Sequence, residues 1–328
     1  MDITAFSTYL SCFHLPDSEI EQQVSCMLVF ERWLAKRGST LETATIGEIR
    51  AYLKRLIKKG KNGIDDLLPL LFYYEHSDRI DLNIYLSDVI HGGQEYEEIL
   101  ERVEKLAGFD VAWRIEHECP LPPLGTDPSF FPEYTGHLLR KLFAILPDAD
   151  VLPAIYDTEK SHLPMLYEYK IALFQAAGSI DEYLLASAKL ELLRLKVLQR
   201  GNTKWNEVYI TDEFLRRISQ NQELLSGVRR GNRVYVTMQP AQPAKYIKAK
   251  TLEKKRYYTC HEPNINAGFL TGIPDVSIVW CDRCVSRIRM KYECLLDRSL
   301  TAELVESALL GDTACRIAVL LEPDAVTE

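Results

Sequence analysis

Three cysteines and a histidine–glutamate pair stand close together late in the chain: Cys260, His261 and Glu262 in "TCHEP", then Cys281 and Cys284 in "WCDRC". Thiolate, imidazole and carboxylate are all zinc ligands, and a C-x-x-C turn presents two sulfurs to one ion. Glu262 precedes Pro263, which biases it to extended backbone. A strand-like 260–262 turns Cys260 and Glu262 to one side and His261 to the other. The metal set expected from this reading is Cys260, Cys281 and Cys284, with Glu262 or a water as the fourth ligand. Three protein ligands and one open position are the arrangement of catalytic zinc, with Glu262 or His261 available as general base.

Two other chemistries use the same residues. Read as a strand, "VSIVW" followed by Cys281–Cys284 and a helix has the local order of a thioredoxin-type dithiol, and the helix N-terminus would depress the Cys281 pKa. The chain after Cys284 is too short to supply the remaining strands of that fold. The third reading is plain burial, since free cysteine is among the most buried side chains. Cys294 and Cys315 fit core positions on a helix and a strand.

The next candidate is a charge pattern. Of 39 lysines and arginines, nine lie between Arg229 and Arg256, against the single acid Glu253, in a chain of net charge −8. Tyr235, Tyr246, Tyr257 and Tyr258 are interleaved with them. Such a stretch serves as a solvated face, as a dock for a small anionic ligand, or as a nucleic-acid groove. Nucleic acid ranks last, because its binders carry a larger positive balance than this region has. If 255–260 is extended, Arg256 and Tyr258 share the face of Cys260. The candidate ligand-binding residues are therefore Arg256, Tyr258, Arg233 and Lys255.

Elements must position these groups. The apolar fraction of 47% and charged fraction of 26% are those of an ordinary globular protein, and 328 residues suffice for two or three domains. "MDITAFSTYL" has no basic n-region, no apolar run reaches membrane-spanning length, and eight cysteines without secretory context read as reduced thiols. A cytoplasmic location and no membrane partner are expected.

The fold class expected is α+β. An all-helical domain over 1–92 precedes a helical middle region over 93–225, with a proline-rich connector at 119–132. A Cys-rich α+β domain with a small, mainly antiparallel sheet follows over 226–328. Capping boxes at Thr45–Glu48 and Ser179–Glu182 open helices that Gly60 and Gly201 close. Thr211 starts a helix running to about Leu225. "GVRRGNRVYVTMQP" reads as a hairpin around Arg230–Gly231–Asn232. "VSIVW" and "CRIAVLLEP" read as strands, "RIRMKYECLLD" and "TAELVESALLGD" as helices.

The N-terminal order, with Phe30, Trp33 and Leu34, "TLETATIGEIRAYLKRL" and Tyr73–Tyr74, resembles the helical core-binding domain of tyrosine recombinases (phage integrases). That family clamps DNA with a basic face, whereas residues 1–90 here carry 10 basic and 13 acidic side chains. The His-x-x-Arg at His137–Arg140 lacks the spaced arginine and tyrosine that accompany it in the family. The resemblance implies the module without its function. The closing "LVESALLGDTACRIAVLLEP" resembles the end of 4-vinyl-reductase-type ligand-binding domains and of proteins similar to L-2-amino-thiazoline-4-carboxylate hydrolase. Tyr258, Cys260, His261, Pro263, Trp280, Cys281, Gly311, Asp312, Cys315 and Arg316 match, in order, a pattern of uncharacterised prokaryotic proteins. Glu262 and Arg283 stand where those carry cysteines. This second resemblance covers about the last 100 residues. It implies an α+β domain that binds a small molecule and leaves the ligand open. Together with the residues read above, the expectation is a small, anionic ligand bound beside a zinc site; the alternative is a zinc-dependent hydrolase.

Overall fold

The computed structural model describes residues 1–156, 163–205, 208–272 and 275–321, with the side chains of 163–166 left aside. The N-terminal part is helical throughout: α1 (Ile3–Ser11), α2 (Asp17–Ala35), α3 (Ile46–Lys58), α4 (Ile64–His76), α5 (Ile80–Ala107) and α6 (Phe109–Glu118). Thr45 opens α3 with the expected capping box, its side chain accepting from Glu48 N while the Glu48 carboxylate accepts from Thr45 N. Pro69 lies inside α4 with its ring buried. No described helix is long and apolar enough to cross a membrane.

The middle continues with α7 (Phe131–Ile145), α8 (Asp148–Ile155), α9 (Leu163–Ala177), α10 (Ile180–Arg200) and α11 (Asp212–Ser219). Thr211 caps α11 as expected, but the helix stops at Ser219 and a 3-10 turn, Gln222–Leu224, replaces its last part. Asn221 causes the break by accepting from Glu223 N with its side chain, a local bond that competes with the helix.

The C-terminal region contains one four-stranded antiparallel sheet among helices. Its strands are β1 (Val228–Arg230), β2 (Arg233–Thr237), β3 (Thr301–Glu306) and β4 (Arg316–Leu320), in the order β1-β2-β4-β3. The hairpin turns at Gly231, whose φ of 62° suits a residue without Cβ. Around the sheet lie α12 (Pro243–Lys248), α13 (Leu252–Thr259), the single turns α14 (Pro263–Asn266) and α15 (Gly268–Thr271), and α16 (Asp282–Leu296).

Three local expectations are corrected. "TAELVESALLGD" is not a helix: it is β3 followed by a 3-10 turn, Ala308–Leu310. Its exposure alternates residue by residue, because β4 offers an open edge and pairing there outweighs helical propensity. "VSIVW" is not a strand. Ser277 accepts from Val279 N and starts the 3-10 turn Ile278–Cys281, which drives Trp280 into complete burial. The run 256–259 is helical rather than extended, because Thr251 caps α13 by accepting from Lys254 N.

One helix joins the two largest cores. Leu82, Leu86, Val89 and Ile90 of α5 belong to the N-terminal core, while Tyr96, Ile99 and Val103 belong to the next. Residue 92 lies inside this helix, and a Cβ built on Gly92 would stand 2.6 Å from the buried Phe131 ring. The bare backbone there lets Asn264 donate to Gly92 O at 2.8 Å. This ties α14, directly after the Cys260–Glu262 segment, to α5.

Candidate functional site

Cys260 follows α13 in extended conformation, with φ −71° and ψ 131°; Glu262 is extended too. Cys281 closes the 3-10 turn, and Cys284 lies in the first turn of α16. All three thiols are buried, as is Glu262. Glu262 is their common neighbour. Cys284 Sγ lies 3.7 Å from its Oε1, and Cys260 Sγ lies 3.9 Å from its backbone oxygen. Cys281 Sγ turns instead to Ser307 Oγ at 3.2 Å. His261 goes the other way, as expected, donating from Nε2 to Gln239 O at 2.7 Å.

Behind Glu262 runs a row of alternating charge. Arg283 Nε stands 3.6 Å from Glu262 Oε2, and Arg283 Nη2 donates to Glu95 Oε2 at 2.5 Å. Glu95 in turn accepts from Arg102 Nη2 at 2.7 Å. Arg283 also lies over the Trp280 ring at 4.8 Å, while its Nε and Nη1 have no hydrogen-bond partner. The residue inside the C-x-x-C is thus the bridge between this cluster and α5.

Burial dominates the thiol chemistry. It pushes Cys260 and Cys284 well above the ordinary thiol value, with the negative charge of Glu262 and the neighbouring Cys315 thiol adding to the effect. Cys281 is pushed up to about 12, mainly by burial. Cys315 is raised too, first by burial and then by Asp312 and Glu262, so a fourth thiol belongs to this neighbourhood. Burial lowers the His261 pKa, which favours the neutral ring. These are protonated thiols rather than nucleophiles, and the strand that a thioredoxin-type motif requires is absent from 276–280. Among the described residues no three His, Cys, Asp or Glu side chains stand in the arrangement of a metal site.

The four ligand-binding candidates are not brought together. Arg256 is 8% exposed, donates from Nε to Ala308 O at 2.6 Å and covers the Phe269 ring at 4.7 Å. Arg233 is ion-paired with Glu303 of β3. Its hairpin neighbours are paired as well, Arg229 with Asp181 at 3.2 Å and Arg230 with Glu223 at 2.7 Å. Lys255 is half-buried on α13. Helical rather than extended geometry carries Tyr258 away from Arg256 and into a different site.

That site is a cleft of 300 Å³ lined by Lys245, Lys248, Ala249, Lys250, Thr251, Lys254 and Tyr258. Lys245 and Lys248 come from α12, and Lys254 from the first turn of α13. Lys245 Nζ lies 5.9 Å from the centre of the Tyr258 ring. Among the described residues no carboxylate lines the cleft. Sequence reading placed these lysines in the basic stretch without singling them out. Their spacing, with Lys245 and Lys248 three apart and Lys250 and Lys254 four apart, was the available signal.

Comparison with protein-family models, with characterised proteins and with solved structures returns no match for this chain. The functional reading therefore rests on these two sites.

Proposed function

We propose that this chain is a cytosolic protein that binds a small anionic molecule in the lysine cleft between α12 and α13. The observation that supports this reading is the concentration of four ammonium groups around one concavity, with no carboxylate among the described residues that line it. Arg229, Arg230 and Arg233 of the same basic stretch are tied to Asp181, Glu223 and Glu303, and Arg256 to Ala308 O, so the cleft lysines carry most of the charge that the stretch leaves open to an external anion. Clustered ammoniums suit a multiply charged group such as pyrophosphate or a polycarboxylate. Tyr258 gives the cleft an apolar wall.

Calorimetric titration with inorganic pyrophosphate at low salt tests the reading. Saturable one-to-one binding that weakens in Lys248→Ala and Lys254→Ala supports it. Tighter binding of a single-stranded oligonucleotide, with a steep salt dependence spread along the whole stretch, would favour nucleic acid instead.

The zinc site proposed at Cys260, Cys281, Cys284 and Glu262 has the right donor types. Its assembly requires Cys281 to leave Ser307 and Glu262 to turn from Arg283. One equivalent of zinc in the purified protein, lost in Cys281→Ser and Cys284→Ser, would establish it; a metal-free protein with unchanged pyrophosphate binding would rule zinc out and leave the cleft reading intact.

A further inference from the structure

A second, more enclosed cavity of 200 Å³ lies on the other side of α12. Pro243, Tyr246 and Ile247 of that helix face it, whereas Lys245 and Lys248 face the lysine cleft. Phe214 of α11, Leu224 and Met238 complete an apolar wall. Among the described residues Arg217 is the only charged side chain on the lining, and its guanidinium lies 5.2 Å from the centre of the Tyr246 ring. Two of the lining polar groups are already engaged: Thr259 Oγ1 donates to Thr313 O at 2.9 Å, and Thr237 Oγ1 to Glu223 at 3.0 Å. Asn221 uses its side-chain oxygen on Glu223 N, so Arg217, exposed at the rim, is the charged donor set of the cavity.

We propose that this cavity is a binding site for a small organic monocarboxylate, with its carboxylate on Arg217 and an aromatic or short aliphatic body against Phe214, Met238 and Ile247. Charge and size together select this class. A guanidinium matches one carboxylate with two parallel hydrogen bonds. A single cation with apolar surroundings does not balance a phosphate dianion. At 200 Å³ the cavity lies below the roughly 300–1,000 Å³ of pockets for drug-sized ligands, which suits one ring or a short chain. An apolar cavity with few polar groups converging on it is the usual build of a small-molecule site.

The site is independent of the lysine cleft, and the experiment keeps them apart. Benzoate is titrated into the full chain by calorimetry, with benzamide as the neutral isostere. The expected result is saturable one-to-one benzoate binding, at least tenfold tighter than benzamide. Arg217→Gln removes that preference, and Ala314→Phe, which fills the cavity from a turn, abolishes binding of both. Lys248→Ala and Lys254→Ala leave benzoate binding unchanged. Circular dichroism confirms that each variant is folded. Absence of saturable benzoate binding at millimolar concentration overturns the proposal, as does binding that survives Ala314→Phe or disappears in the lysine variants.

Discussion

The lysine cleft and the thiol cluster lie at the two ends of α13, and they treat charge in opposite ways. At its start, Lys250 and Lys254 keep their ammoniums in a solvent-open concavity with no carboxylate among the described residues of its wall. At its end, Cys260 enters a buried neighbourhood where Glu262 meets Arg283 and every thiol is pushed towards its neutral form. A site that recruits a charged ligand must leave its own charge uncompensated and hydrated until the ligand arrives. A core that contains charge must compensate it internally, because an unpaired buried ion is costly. By that criterion the cleft fits the binding role proposed for it, and the Glu262–Arg283 cluster holds α16 and the 260–262 segment onto α5.

The contrast breaks most visibly at Arg283. Arg283→Met leaves Glu262 buried without its cation, and unfolding by urea should show a loss of roughly 3–5 kcal/mol. Adding Glu262→Gln to the same chain should recover part of that loss. A change below about 1 kcal/mol in the single variant would mean that the pair does not hold the cluster together.

Alkaline titration gives the next largest effect. Cys281 is pushed up to about 12 in the folded chain against an ordinary value of 9.0. The unfolded chain therefore loses the proton first. The contribution is fully present below pH 9 and is lost as pH rises from about 9 to about 12. Cys281→Ser should remove roughly 2–4 kcal/mol of this alkaline loss, read as the difference between the two pH–stability curves.

Lys291 of α16 sharpens the comparison, since it is a lysine on the wrong side of the divide. Burial first, and then Lys170, lowers its pKa to about 7 from 10.5, with Glu191 opposing them. The folded chain sheds this proton before the unfolded one, so stability falls as pH drops from about 10.5 to about 7. Lys291→Met should stabilise the protein below pH 7 by roughly 1–2 kcal/mol, after allowing for residual solvent around the chain. The gain should vanish near pH 11; thermal melts at the two pH values provide the check.

Single cleft lysines should matter least. Lys248→Ala should leave the melting temperature unchanged and weaken pyrophosphate binding by roughly 0.5–1 kcal/mol, with the difference shrinking as salt is raised. A destabilised Lys248→Ala protein would instead assign this lysine to the fold.

Local patterns carried much of the architecture. The N-terminal helices followed from apolar periodicity and caps such as Thr45–Glu48, because those bonds form within one turn of chain. The β1–β2 hairpin followed from Arg230–Gly231–Asn232, whose turn needs positive φ at the glycine. The alternation placing His261 opposite Cys260 and Glu262 was also legible, since Pro263 keeps the preceding residue extended. Where a segment's conformation depended on a distant partner, the pattern misled. "TAELVE" became a strand only because β4 offers it an edge, and "VSIVW" coiled because the core takes in Trp280. Reading Arg256, Tyr258 and Cys260 as one face failed for a nearer reason: the Thr251 cap makes α13 a helix.

By itself the sequence determined which groups are available: a basic stretch within an acidic chain, clustered thiols, and a helical scaffold with one small sheet. Tertiary structure decided which charges stay free. Arg229, Arg230 and Arg233 look like their lysine neighbours in composition, but sheet pairing and packing carry them to Asp181, Glu223 and Glu303. Glu95 and Glu262 find Arg283 only because Gly92 lets the 260–266 segment lie against α5. Ion pairing acts over a few ångströms, and residues far apart along the chain come within that range only when the fold closes.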